Sequence, residues 1–215
     1  MHDDRKTHLL TTLQSEIDKG RLPGAVVMLS RHGKIELFES LGVQDPEVKT
    51  PMTKESIFRI YSMTKPIVSV AVMMLMEQGK LLLSDPVSKY LPEYAKQQVA
   101  VEAGGQVSYV PAKLATVQDL LRHTAGLTYE FLGNSAAQKA YRTTKIGMTL
   151  RDVNNAEFSK ILAAQPLQYD PATMWEYSRA TDVVGVLIEA ISGQTLGNYL
   201  EEHIFKPLKM LETGF

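Results

Sequence analysis

The chain has no cysteine among its 215 residues, and this absence excludes disulfide bonds, thiol catalysis and cysteine-ligated metals. The five histidines show no His-Glu-x-x-His or similar ligand spacing, so the sequence predicts no metal site. A strong excess of charge is also missing, because 23 basic residues balance 24 acidic ones and leave a net charge of -1. Without a strong field, nucleic acid and anionic membrane surfaces are not expected partners.

Long apolar segments are missing as well. The longest nearly apolar run, from Ile67 to Met76, falls short of the roughly 18 residues that a membrane span needs. The residues before Leu9 are mixed in charge and lack the apolar core of a secretion signal, so we expect a cytoplasmic protein. No Gly-rich phosphate loop follows a predicted strand and no Gly-x-Ser-x-Gly elbow is present, so neither a nucleotide cofactor nor an α/β-hydrolase is predicted.

Ser62 and Lys65 place a nucleophile and a base three residues apart, which makes them neighbours on a helix. Pro66 lacks a backbone N–H and is tolerated in a first helical turn, so the helix is predicted to begin close to Ser62. A hydroxyl at the positive end of a helix, beside an amine that accepts its proton, is suited to acyl transfer through a serine ester. Because this spacing is expected about once by chance in a chain of this length, other motifs must support it.

Two further segments extend the pattern. Residues 166–178 read PLQYDPATMWEYS and precede an apolar stretch that Gly193 closes, while residues 120–127 read LLRHTAGL. Together with residues 58–66 and 207–215, these segments extend along nearly the whole chain, in the order in which one superfamily carries its motifs. The sequence therefore resembles the serine β-lactamase and penicillin-binding protein superfamily, and in particular its class C-like branch, which includes the family VIII carboxylesterases.

The resemblance implies that Ser62 is the acylated nucleophile, that Lys65 is its partner and that Tyr177 is the tyrosine of the family's second motif. A tyrosine, whose ordinary pKa is about 10, can be held partly ionised by a neighbouring ammonium and can pass a proton between Ser62 and the leaving group. Either Lys65 or Tyr177 can serve as the base in acylation, and we expect them to act as a coupled pair. The candidate substrate-binding residues are Ser178, Tyr129 and Trp175.

Arg179 departs from the family pattern. β-Lactamases and peptidoglycan peptidases of the superfamily carry Asn two places after the motif tyrosine, where its amide holds the acylamide side chain of the substrate. A substrate amide without this partner loses affinity and rate, so the expected substrate is a small-molecule carboxylic ester. The alternatives are an activity like that of a β-lactamase or D-Ala-D-Ala peptidase and, in another class, a non-catalytic binding relative or inactive fragment.

The resemblance also implies an α/β (α+β) fold of the β-lactamase and transpeptidase type, in which an antiparallel sheet flanked by helices joins a mostly helical domain. Residues 1–61 would supply the N-terminal helix and first strands, residues 62–206 the catalytic helix and helical domain, and residues 207–215 the start of the return to the α/β domain. The strand of the family's third motif is not visible, since residues 212–214 read as a structural turn. We therefore expect a complementary C-terminal segment to complete the sheet and the oxyanion hole.

Local patterns predict the elements around these motifs. Residues 25–30 and 35–41 are predicted to form a β-hairpin, and Thr116 is predicted to cap a short helix. The segment 123–126 is expected to be a structural loop. Residues 128–150 are the candidate wall of an acyl pocket, with Tyr129, Phe131 and Tyr141 as candidate lining residues. An ordinary core or surface position is an equally good expectation for these three aromatics. The further predicted helices cover residues 136–144, 156–164, 180–192 and 196–205.

Overall fold

A computed structural model of the chain describes residues 2–144 and 153–215. The chain forms two compact units, Met1–Arg59 and Ile60–Phe215. Among the helices of the described ranges, none combines the length and the apolar character that a membrane-spanning helix needs.

The first unit consists of one helix and a small antiparallel sheet. Helix α1 (Asp3–Asp18) is followed by strands β1 (Gly24–Arg31), β2 (Lys34–Asp45) and β3 (Thr50–Pro51), which pair in the order β1-β2-β3. The hairpin predicted from the sequence is confirmed. His32 and Gly33 form its two-residue turn, and both have positive φ angles, of 50° and 73°, as a type I′ turn requires.

The core of the first unit is small. Within residues 2–59, the only hydrophobic side chains that are buried are those of Leu37 and Met52. Met28 on β1 and Ile35 on β2 are 56% and 61% exposed. A sheet gains most of its stability from a packed apolar face. The first unit has little apolar burial of this kind.

The second unit is mostly helical. A turn of 3₁₀-helix, Tyr61–Met63, leads into helix α2 (Thr64–Glu77), and an exposed hairpin of β4 (Gln98–Ala103) and β5 (Gln106–Pro111) follows. Two short 3₁₀ helices, Val87–Lys89 and Pro92–Lys96, lie between α2 and β4. The other α-helices of the described ranges are α3 (Val117–Leu121), α4 (Ala136–Thr143), α5 (Asn155–Ala163), α6 (Ala180–Ser192) and α7 (Leu196–Leu200), the last of which continues as a π-helical turn, Glu201–Phe205. The helices predicted from the sequence are confirmed to within about two residues at their ends, the usual precision of helix boundaries.

Helices α2 and α6 pack against each other in the core of the second unit. On α2 the buried residues, Val68, Ala71, Val72 and Leu75, recur at i, i+3, i+4 and i+7, which is the pattern of a helix with one apolar face. On α6 every residue from 183 to 188 is buried, which is the pattern of a helix surrounded by the core. This packing fixes the N-terminal ends of both helices, beside which Ser62 and Tyr177 lie.

Helix ends follow the signals in the sequence. The Thr116 side chain accepts a hydrogen bond from the backbone N–H of Asp119, which completes a capping box at the start of α3. Gly193 ends α6 in the left-handed conformation, at φ 73°. Residues 212–214 lie in turn and irregular structure rather than in a strand.

The loop of residues 123–126 holds the segment that leads to Tyr177. Backbone N–H groups of this segment donate to the loop carbonyls: Gln168 to Gly126 at 2.8 Å, Ala172 to Thr124 at 2.8 Å and Glu176 to His123 at 2.9 Å. Gly126 has a φ of 79°, and a Cβ atom at this position would collide with the backbone carbonyl oxygen of Tyr169. The loop therefore requires glycine for two reasons, its conformation and the close approach of the neighbouring backbone.

Gly126→Ala is expected to lower the free energy of unfolding by about 3 kcal/mol, because alanine adds both left-handed strain and a collision with rigid backbone. Gly104→Ala is the matched control, since Gly104 also has a positive φ, of 57°, but open space at its Cβ position. The control is expected to cost about 1 kcal/mol. Urea denaturation measures both values, and equal losses would show that the contact with Tyr169 has no effect.

Candidate active site

Ser62 lies in the 3₁₀ turn before α2, and Lys65 lies in the first turn of α2 itself. Ser62 is exposed and Lys65 is half-buried. Tyr61, directly before Ser62, has a φ of 45°, in the left-handed region that bulky residues rarely adopt. Strained backbone of this kind persists only where the surrounding structure holds it, and it occurs often at functional sites.

The tips of Ser62, Lys65 and Tyr177 meet. Lys65 Nζ donates hydrogen bonds to Ser62 Oγ at 3.1 Å and to Tyr177 Oη at 2.6 Å. Ser62 Oγ and Tyr177 Oη are themselves 2.8 Å apart. Each pair is within hydrogen-bonding distance, so a proton can pass between any two of the three groups without a bridging water.

The electrostatic environment lowers the pKa of the Tyr177 hydroxyl. The hydrogen bond from Lys65 is the main cause, and the hydrogen bond with Ser62 is the second. Both interactions favour the phenolate over the phenol. Lys65 Nζ also lies 4.7 Å from the centroid of the Tyr177 ring, so the ammonium contacts the aromatic face as well as the oxygen.

Tyr177 is held between two aromatic side chains. Its ring centroid is 5.1 Å from that of His123 and 5.4 Å from that of Tyr129. His123 Nδ1 forms a 3.2 Å hydrogen bond with Ser178 Oγ, while burial, and then the charge of Lys65, lower the pKa of the imidazole. A neutral His123 therefore packs against Tyr177. The sequence indicated only a structural loop at residues 123–126, because the spacing of residues along the chain does not reveal a contact between residues more than fifty positions apart.

A cavity of about 700 Å³ opens beside Ser62 and Lys65. This volume is within the range of pockets that bind small molecules. Its wall is mixed: the apolar lining includes Val68, Tyr129, Phe158 and Leu196, and the charged lining includes Arg179, Asp182 and Glu189. Apart from Tyr129, these residues are not among the substrate-binding candidates that the sequence suggested.

Two acidic groups on the cavity have raised pKa values. Burial raises the pKa of the Tyr129 hydroxyl to about 12, so this tyrosine stays neutral. Burial also raises the pKa of the Asp182 carboxyl, and the charge of Arg179 opposes this shift. The lowered pKa of Tyr177 therefore distinguishes it from its neighbour Tyr129, and the contact with Lys65 is the reason.

The candidate substrate-binding residues have different positions. Tyr129 lines the cavity, whereas Ser178 is 1% exposed and Trp175 is 63% exposed, and neither of these two is part of the cavity wall. Their role in substrate binding stays a prediction.

The other aromatic residues of the predicted pocket wall also have different positions. Phe131 stacks on Tyr129, with ring centroids 4.9 Å apart, and is 67% exposed. Of its two expected positions, Tyr141 takes the one in the core, because the apolar face of α4 turns it inward, where it is fully buried. Residues 145–150 of the predicted wall lie outside the described residues.

Arg179 is on the cavity wall and forms an ion pair. Its Nη2 donates to Glu130 Oε1 at 2.7 Å, and its guanidinium carbon lies 4.8 Å from the centroid of the Tyr129 ring. The side chain two places after Tyr177 is therefore a cation with a fixed partner. Glu130 was not identified from the sequence, since nothing in the local pattern links it to Arg179.

Comparison with known proteins shows the family. The family model for beta-lactamase matches residues 9–215. The chain belongs to the beta-lactamase family. Within the family, the chain is 36% identical over 195 residues to esterase EstB of Burkholderia gladioli, with 91% of this chain and 47% of EstB covered. It spans about half the length of the curated relatives it matches.

Solved structures of beta-lactamase relatives share the fold. EstCE1, described as a hydrolase with promiscuous acyltransferase activity, superposes with a TM-score of 0.82 at 32% identity, covering 95% of this chain and 51% of that one. The LovD6 mutant of simvastatin synthase from Aspergillus terreus gives a TM-score of 0.77 at 25% identity, covering 97% of this chain and 51% of that one. The fold is therefore of the β-lactamase and transpeptidase type, with helices and antiparallel sheet as expected.

Proposed function

We propose that the protein is a serine hydrolase that cleaves carboxylic esters through an acyl-enzyme on Ser62. The observation that supports this most is the convergence of Ser62 Oγ, Lys65 Nζ and Tyr177 Oη within 3.1 Å of one another. A hydroxyl that touches both an amine and a tyrosine of lowered pKa is an activated nucleophile. The similarity to an esterase and to a hydrolase supports the same reaction class.

In the proposed acylation step, Ser62 Oγ attacks the carbonyl carbon of the ester and gives its proton to the Lys65 and Tyr177 pair. A bond forms between Oγ and the acyl carbon, and the bond from that carbon to the alcohol oxygen breaks. The pair then passes the proton to the departing alkoxide, which leaves as an alcohol. Either Lys65 or Tyr177 can accept the proton first, since both contact Ser62 Oγ.

The proposed deacylation step uses the same groups with water in place of the serine. Tyr177 and Lys65 remove a proton from water, the hydroxide attacks the acyl carbon, and the proton returns to Ser62 Oγ as the carboxylic acid leaves. The positive end of α2 lies beside Ser62 and favours the negative charge that develops on the carbonyl oxygen in both steps.

The proposed substrate is an ester rather than a β-lactam or a peptide. Arg179 stands where an amide contact is expected, and its Nη2 is already occupied by Glu130. A substrate amide on this wall loses a hydrogen-bonding partner that a simple ester does not need. An activity like that of a β-lactamase or D-Ala-D-Ala peptidase is the second candidate, and a non-catalytic binding protein is the third.

Purified protein is expected to hydrolyse p-nitrophenyl butyrate with a kcat/KM at least about a hundredfold above that for a chromogenic cephalosporin, because the ester loses no polar contact at Arg179. Initial rates followed by absorbance measure both reactions. Equal efficiencies would favour the β-lactamase alternative. Binding of esters without turnover would favour the non-catalytic relative.

We also propose that a complementary C-terminal segment completes the sheet and the oxyanion hole. Two observations support it: the first unit buries few hydrophobic side chains, and two apolar residues of α2, Val70 and Met73, are 50% and 36% exposed. The ester assay tests this when the intact mass of the active protein is measured beside it. Full activity in a preparation of 23.9 kDa, the mass of these residues alone, would contradict it. The cytoplasmic location stays a prediction.

A further inference from the structure

Arg179 and Glu130 form a shielded ion pair at the edge of the cavity. Both side chains are only 16% exposed, and their 2.7 Å separation is that of a charge-assisted hydrogen bond. Arg179 belongs to the cavity wall, whereas Glu130 does not. The cation that faces the cavity is therefore neutralised from the protein side.

The other charged groups on the cavity do not offer a free cation either. Lys65 Nζ is engaged with Ser62 and Tyr177. The described lining contains two acidic residues, Asp182 and Glu189, besides these basic ones. With Glu130 included, the site has three acidic side chains, Asp182, Glu189 and Glu130, and two basic ones, Lys65 and Arg179.

Glu189 also has fixed partners, which separates its role from that of Glu130. Its Oε1 accepts hydrogen bonds from Asn155 Nδ2 at 2.9 Å and from the backbone N–H of Leu196 at 2.7 Å. These bonds hold α5, α6 and α7 together and bring no cation to the cavity. Asp182 is close enough to Arg179 for the guanidinium charge to affect its carboxyl, but Glu130 is the acidic group that the described residues place in a direct ion pair with Arg179.

We propose that Glu130 is a specificity-determining residue that makes the acyl pocket select uncharged acyl groups over anionic ones. An acyl chain ending in a carboxylate would compete with Glu130 for the charge of Arg179 and would also lie near Asp182. Losing its hydration without gaining an unbalanced cation costs this chain free energy that an uncharged chain does not lose. This inference rests on the proposed ester hydrolysis and adds the class of acyl group to it.

The test uses two p-nitrophenyl esters of nearly equal shape. One is the mono-p-nitrophenyl ester of glutaric acid, whose acyl chain ends in a carboxylate. The other is p-nitrophenyl 5-methylhexanoate, whose acyl chain ends in an isopropyl group. The quantity measured is the ratio of kcat/KM for the anionic ester to that for the neutral ester. Using a ratio removes general effects of a substitution on folding or on the catalytic groups.

Two variants are expected to move this ratio in opposite directions. Glu130→Gln frees the cation of Arg179 and is expected to raise the ratio about tenfold, the effect of one charge-assisted hydrogen bond. Arg179→Gln leaves the carboxylate of Glu130 without its cation and is expected to lower the ratio severalfold. Glu77→Gln, with the same charge change about 18 Å along α2 from Lys65, is the control and is expected to leave the ratio unchanged.

The outcomes separate the two proposals. Shifts of the ratio in the same direction in both variants, or no shift in either, would overturn the role of Glu130. If one variant fails to fold by circular dichroism, the direction of the other still decides. If a full-length preparation that includes the proposed C-terminal segment hydrolyses neither ester, the proposed function fails, and calorimetric binding of glutarate against 5-methylhexanoate then tests the charge selection by itself.

Discussion

Replacing Ser62 with alanine is expected to lower ester turnover by at least about a thousandfold, because no covalent intermediate can form without the nucleophile. Removing one member of a set that acts as a unit disables the whole set, since Lys65 and Tyr177 then have no serine proton to transfer. Initial rates with p-nitrophenyl butyrate measure the loss. The residual rate should equal that of the ester in buffer to within the error of the assay.

Ser69→Ala is the matched control for this change. Ser69 lies on α2, about two turns beyond Ser62, and is not on the cavity wall. Its replacement is expected to leave turnover within about threefold of the unmodified protein, as for substitutions away from a site. A fluorophosphonate probe gives a second readout, because a single adduct is expected on the unmodified protein and none on Ser62→Ala. Retained turnover in Ser62→Ala would eliminate Ser62 as the nucleophile.

The elements that carry the site were predictable because their signals are local. Pro66 in a first turn fixed where the catalytic helix begins, and the spacing of apolar residues identified α6 to the residue. Gly193 identified the end of that helix, since a left-handed terminal residue is most easily glycine. Local signals of this kind depend on a few neighbouring residues and need no knowledge of the rest of the fold.

The cavity wall was less predictable because its contacts are distant in sequence. Arg179 and Glu130 are 49 residues apart, and His123 and Tyr177 are 54 residues apart, so only the folded chain brings them together. Tyr141 shows why the sequence left two positions open for an aromatic residue. It could have lined the pocket or packed in the core, and the register of α4 turns it to the core. The residue type alone does not determine whether Tyr141 faces the cavity or the core, because the direction of its side chain depends on its position around the helix.

The pH dependence of kcat/KM is expected to report on Tyr177. If the phenolate is the base, the rate rises with pH through the lowered pKa of Tyr177 and then reaches a plateau. Lys65→Ala removes the main cause of that lowering, so the rise is expected to move to higher pH, towards the ordinary value of about 10. Turnover below that pH is expected to fall by about a hundredfold or more.

Tyr177→Phe separates the contributions of the two residues. The variant keeps the ring that packs between His123 and Tyr129 but has no oxygen to ionise, so turnover is expected to fall by about a hundredfold or more and the rise with pH to disappear. Tyr109→Phe, a change at an exposed tyrosine of β5, is the control and should leave the profile unaltered. If Tyr177→Phe kept the rise with pH while Lys65→Ala lost it, the lysine alone would be the base. The coupled assignment requires each substitution to alter the profile, because the two groups share one proton with the serine.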